Sequence, residues 1–111
     1  MAMKRLILSL RLSIGLALPA AAKYSFEDGN DLLEMCESTE LHNQGSCIGF
    51  VLGVSAVPMF QGNLCVPGTV SYGQAKDVVT VYLRQHPEVR HLPGALLVLE
   101  ALGRMFPCVK Q

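Results

Sequence analysis

Apolar residues recur along this chain at the three- and four-residue spacing of helices, and the alternation of a half-buried strand is scarce. The spacing predicts four helices. The first runs from about Asn30 to Leu41, with Asn30 or Asp28 as its cap. Leu32, Leu33, Met35 and Cys36 supply its apolar stripe, and Glu34, Glu37 and Glu40 fall on the other side. His42-Asn43-Gln44-Gly45 reads as the turn that follows. The second helix runs from Ser46, its expected N-cap, to about Phe60, and Pro58 kinks or stops it. From Cys47 to Val54 it is apolar on every side, which predicts a central, buried helix. Gly49 and Gly53, with Ser46 and Ala56, form a small-residue stripe that a neighbouring helix could approach closely.

A turn-rich stretch over 61–70 separates this half from the next. The third helix starts at Ser71, where Ser71-x-x-Gln74 is a capping box. Ala75, Val78, Val79, Tyr82 and Leu83 form its buried stripe, with Lys76, Asp77, Thr80 and Arg84 facing out. His86-Pro87 ends it, because proline disfavours helical backbone in the residue before it. The fourth helix starts near Pro93, a natural first-turn proline. Its expected stripe is Ala95, Leu96, Leu99, Leu102 and Phe106. Glu100 and Arg104 can pair four residues apart, and Pro107 stops the helix.

The N-terminal pattern is of another kind. Lys4 and Arg5 precede an apolar run from Leu6 to Leu18, and Pro19-Ala20-Ala21-Ala22 follows. A basic start, a short apolar core and a small-residue site make the plan of a secretory signal peptide, cleaved after Ala22. Thirteen residues containing Arg11 are too few for a membrane anchor, since roughly 30 Å of hydrocarbon needs about 20. The whole chain of 111 residues is formally neutral and half apolar. Without residues 1–22, three cations and no acid are lost, so the remaining 89 residues carry a net charge of −3. Six of the nine acids lie between Glu27 and Glu40. A nucleic-acid binder would carry a basic excess, and a disordered chain would be poorer in apolar residues.

All four cysteines lie after the peptide. An even count in an exported chain of this size reads as a disulfide framework. Three pairings are possible. In an up-down bundle the end of the first helix meets the start of the second, which brings Cys36 to Cys47. Cys65 follows the second helix and Cys108 the fourth, so both reach the other end. The pairing expected is therefore Cys36–Cys47 and Cys65–Cys108. On the chain-entropy model the two loops contribute about 3 and 4 kcal/mol. The fold expected is all-α: a small disulfide-stapled up-down bundle of about four helices. Residues 1–22 are the signal peptide and 23–111 the helical domain.

Chemistry-bearing constellations are missing from the pattern. There is no C-x-x-C, and the cysteine spacings match no common zinc site, even with His42, His86 and His91. No glycine-rich loop sits between a strand and a helix. His86 and His91 read as solvated turn residues, and the acidic run as a solvated face. No enzyme, cofactor or metal is expected. The long loop after the second helix is the better candidate, as long loops in compact domains often carry function. Met59, Phe60, Gln61, Asn63 and Leu64 are its partner-contact candidates; alternatively, its apolar residues tuck under the bundle.

Five motifs stand in order: F-x-x-G-N-x-L-L-x-x-C from Phe26 to Cys36, C-x-G-F-V-x-G-V from Cys47 to Val54, C-x-P-x-x-V from Cys65 to Val70, Q-x-x-D-V-V-x-x-Y-L-x-x-H-P-E from Gln74 to Glu88, and A-L-x-x-x-F-P-C from Ala101 to Cys108. Together they resemble the Rap/Tai family of type VI secretion immunity proteins, over nearly the whole chain after residue 22. The resemblance implies a small helical periplasmic protein. It would neutralise a peptidoglycan amidase effector by binding it and occluding its active site, often as a dimer, and would catalyse nothing itself. It transfers no inhibitory residue. The alternative is a stand-alone disulfide-bonded envelope protein with a structural or acid-stress chaperone role. Neither reading involves nucleic acid or stable membrane insertion after signal cleavage.

Overall fold

The computed structural model describes residues 28–57, 62 and 64–108, together with Gly15. Four helices account for the described secondary structure: α1 (Gly29–Glu37), α2 (Leu41–Ser55), α3 (Tyr72–Gln85) and α4 (Gly94–Met105), with a single 3-10 turn at Pro87–Val89 between the last two. Apart from Gly15, the proposed signal peptide lies outside the described residues.

α1 begins where Asp28 holds extended backbone and its Oδ1 accepts from the Asp31 amide at 2.9 Å. Its first turn is pinned to the corner before α4. The Gly29 amide donates to the Leu92 carbonyl, and both the amide and side chain of Asn30 donate to the Arg90 carbonyl. Gly29 allows this approach: a Cβ there would lie 2.4 Å from Leu97 Cδ1 and 3.0 Å from the Arg90 Cα and carbonyl oxygen.

The first two helices divide earlier than the sequence pattern indicates. α1 ends at Glu37, the turn is Ser38-Thr39-Glu40, and His42-Asn43-Gln44-Gly45 is helix. Ser38 takes the organising role expected of Ser46. Its hydroxyl accepts from the Glu40 amide at 3.2 Å and the Asn43 amide side chain at 3.0 Å, while Gln44 Nε2 donates to its carbonyl. Ser46 is inside α2, with its hydroxyl donating back to the His42 carbonyl at 2.9 Å. Asn43 and Gly45 are weak helix formers, and the bonds from the Asn43 and Gln44 side chains to the preceding turn offset them.

Consecutive helices pack on one another, as do the diagonals α1–α3 and α2–α4, whereas α1 and α4 share the smallest contact. The core is built from Leu32, Leu33 and Cys36 of α1, Cys47 and Val51 of α2, Ala75, Val79, Tyr82 and Leu83 of α3, and Leu97, Val98, Ala101 and Leu102 of α4. α3 follows its sequence pattern closely, starting on a complete capping box in which Ser71 and Gln74 bond each other's backbone amides. Thr80, expected to face out, is instead buried, its hydroxyl satisfied by the Lys76 carbonyl at 2.8 Å.

α4 is rotated from the expected stripe. Leu97, Val98 and Ala101 are buried beside Leu102, while Leu96 is 51% exposed and Ala95, Leu99 and Phe106 are only half-buried. Residues 95–99 are all apolar, so periodicity alone can phase the helix more than one way. α2 departs further. Only Cys47 and Val51 are buried, and Gly45, Gly49 and Gly53 line an open face where an added Cβ would meet nothing within 4 Å. Among the described residues, no helix makes the expected close approach at this stripe, because α2 packs through the opposite side.

Two disulfides tie the fold. Cys36–Cys47 joins α1 to the second turn of α2, and Cys65–Cys108 joins the loop before α3 to the chain after α4. Alongside the second bond, the Cys65 amide donates to the Phe106 carbonyl at 3.1 Å.

Candidate functional site

The α1–α2 corner forms an acidic concavity of about 580 Å³. Asp31, Glu34, Glu37 and Glu40 line it with Met35 and Ser38. Its geometry follows from the local fold: Glu34 and Glu37 share a helix face three residues apart, and the Ser38 turn swings Glu40 alongside. Among the described residues, only Glu37 has a cationic partner here, Arg84 of α3 at 2.5 Å. Leu41, next to this acidic lip, is 84% exposed. The run of acids was legible in the sequence; the concavity depended on the misplaced turn and was not.

A second groove, of about 450 Å³, opens where the end of α2 meets the start of α3 and the end of α4. Leu52, Ala75 and Leu102 form its floor side, Leu64, Val66 and Val70 contribute the strap before α3, and Tyr72, 68% exposed, stands at the rim. Of the predicted partner contacts, Leu64 is placed here, half-buried against the core. Met59, Phe60, Gln61 and Asn63 lie outside the described residues.

The α3–α4 face carries an ordered polar and aromatic ladder. The Tyr82 ring stacks on His86 with centroids 4.5 Å apart, and Arg104 Cζ lies 5.4 Å from the Tyr82 centroid. His86 Nδ1 meets Glu88 Oε1 at 2.9 Å, and Arg104 meets Glu100 at 2.8 Å, the pair read from the sequence. The His86 hydrogen bond, with a smaller backbone contribution, holds the Glu88 carboxyl below its usual range. Hydrogen bonding to Glu100, then the charge interaction with the Tyr82 phenol group, raises Arg104. His86 is therefore half-buried and partnered, unlike the solvated turn residue expected, whereas His91 is exposed. Val81 and Met105 flank this face and are exposed.

Among the described residues, no group of three or more His, Cys, Asp or Glu side chains is placed to hold a metal ion, and no helix is long and apolar enough to cross a membrane. What the surface offers is an acidic concavity, an apolar groove and an aromatic face. The four helices and two disulfides place the chain among small disulfide-stapled helical domains. More particularly, the chain belongs to the family of Rap1a immunity proteins, whose model matches residues 28–108 and so spans all four helices and both disulfides. No curated protein and no solved structure matches it.

Proposed function

We propose that this protein is the immunity partner of a type VI secretion effector, a peptidoglycan amidase, which it neutralises by binding and covering the active-site cleft. The observation that carries this reading is the family match across the entire helical domain. The protein acts as an inhibitor without chemistry of its own. It works in the periplasm, delivered there by residues 1–22, and it pairs with a second copy when it engages the effector. The two disulfides support this compartment, since such bonds persist where the environment is oxidising.

The apolar groove lined by Leu64 and rimmed by Tyr72 is the contact we assign to the effector, together with the sequence candidates Met59, Phe60, Gln61 and Asn63. Co-purification with amidases encoded nearby, followed by a cell-lysis assay, tests the role. A stable complex and protection from lysis are expected; an amidase that neither binds nor is inhibited refutes it. Tyr72→Asp should weaken the complex by roughly thirtyfold, the effect of losing one interface anchor. Its exposure means the thermal midpoint should hardly change. An unchanged affinity would move the contact to another face.

A further inference from the structure

The two disulfides sit in unlike surroundings. Cys36 and Cys47 are 3% and 0% exposed, sealed between α1 and α2. Cys65 is exposed and Cys108 half-buried. The accessible bond fastens one wall of the apolar groove. Leu64, Val66 and Val70 form that wall and flank Cys65 along one strap. Among the described residues, the strap is further held by the Cys65 amide donating to the Phe106 carbonyl and by Leu64 and Val70 packing on the core, while the Val70 amide donates to the Pro67 carbonyl within the strap itself. Behind it lie Ala75 of α3 and Leu102 of α4, two residues of the core.

We propose that Cys65–Cys108 is a thiol-exchangeable fastening, and that opening it releases the Leu64–Val70 strap and exposes the apolar floor of the groove while the rest of the bundle stays folded. The co-reactant is a dithiol, either a small molecule or the active-site pair of a thiol–disulfide oxidoreductase. Its thiolate attacks one sulfur of the bond, forming a mixed disulfide and releasing the other cysteine as a thiolate, which takes up a proton. The second thiol of the reagent then displaces the first cysteine. The reagent leaves as its own disulfide, and two electrons and two protons have passed to Cys65 and Cys108. Cys36–Cys47 cannot enter this exchange until α1 parts from α2, because the attacking thiolate must reach a sulfur along the bond axis. Its reduction should therefore be about a hundredfold slower in native buffer.

The test needs no effector. The native protein is treated with graded dithiothreitol, quenched with iodoacetamide and mapped by peptide mass spectrometry, with far-ultraviolet circular dichroism and binding of the apolar dye anilinonaphthalene sulfonate read in parallel. Labelling of Cys65 and Cys108 ahead of Cys36 and Cys47 is expected, with dye fluorescence rising several-fold while helicity is retained. The paired variant Cys65→Ser with Cys108→Ser should bind dye without reductant. If that variant does not fold, the order of labelling in the unmodified protein still decides. Equal labelling of all four cysteines, earlier loss of Cys36–Cys47, or labelling of Cys65 and Cys108 without a rise in dye binding would each overturn the proposal.

Discussion

Replacing Gly29 by alanine isolates the seat of α1. The new methyl would lie 2.4 Å from Leu97 Cδ1, well inside the roughly 3.5–4.0 Å of a normal carbon contact. Leu97 is 2% exposed, so its Cδ1 can retreat only by repacking against its buried neighbours. On the other side stand the Arg90 Cα and carbonyl oxygen at 3.0 Å, which are backbone. Relief therefore requires α1 to lift, straining the amide bonds from Gly29 to Leu92 and from Asn30 to Arg90, both 3.1 Å. Overpacking of this kind costs about 1–3 kcal/mol. Alanine returns at most about 1 kcal/mol in helix propensity, and less at the first helical position. The net loss should be about 1–2 kcal/mol, or roughly 5–15 °C in thermal midpoint for a domain of this size. The chain has no tryptophan, so unfolding is best followed by circular dichroism at 222 nm. Gly49→Ala is the matched control. Nothing lies within 4 Å of its Cβ position, so alanine there should stabilise by about 0.5–1 kcal/mol. A Gly29→Ala protein as stable as the parent would refute the tight seating of α1.

The phase of α4 gives a paired comparison: Leu97→Ala should cost about 2–5 kcal/mol, while Leu96→Ala on the exposed side should stay within about 0.5 kcal/mol, both by urea titration. Ser71→Ala removes the acceptor for the Gln74 amide and should cost about 0.5–2 kcal/mol without altering the urea m-value. Glu88 is held below its ordinary value of 4.5, first by the His86 hydrogen bond. Its stabilisation is thus complete above that value and is lost as the pH falls through the lowered one. Glu88→Gln should remove this part of the acid transition, and identical acid-unfolding curves for parent and variant would contradict the pairing.

The sequence makes some of this architecture legible because the information is local. Ser71 and Gln74 cap their own helix, Val79 and Leu83 share a face through the helical period, and Pro87 terminates α3 through the residue before it. The disulfide pairing follows from which helix ends meet, and a boundary error of several residues left it unaffected. The first turn was misread because Asn43, Gln44 and Gly45 look like loop residues until the Ser38 hydroxyl and carbonyl are seen to receive the side chains of Asn43 and Gln44. The α4 stripe was misphased because Leu96, Leu97, Val98 and Leu99 offer equivalent apolar choices, and only packing selects among them. The same holds for α2, whose hydropathy said buried while its glycines face outward. Of the partner-contact candidates, Leu64 is among the described residues, and it lies at the groove wall packed against the core.

The bonding pattern divides the chain into two separately closed parcels. One ring contains Cys36 and Cys47 with the α1–α2 turn, and the other runs from Cys65 to Cys108 around α3 and α4. No disulfide crosses from one parcel to the other, so the stretch between Cys47 and Cys65 is their sole covalent link. A single protease cut inside either ring leaves one covalent molecule on a non-reducing gel. A single cut between Cys47 and Cys65 gives two pieces, held together only by the packing of α1 and α2 against α3 and α4. Whether such a nicked pair stays associated measures directly how much of the domain's cohesion comes from its core.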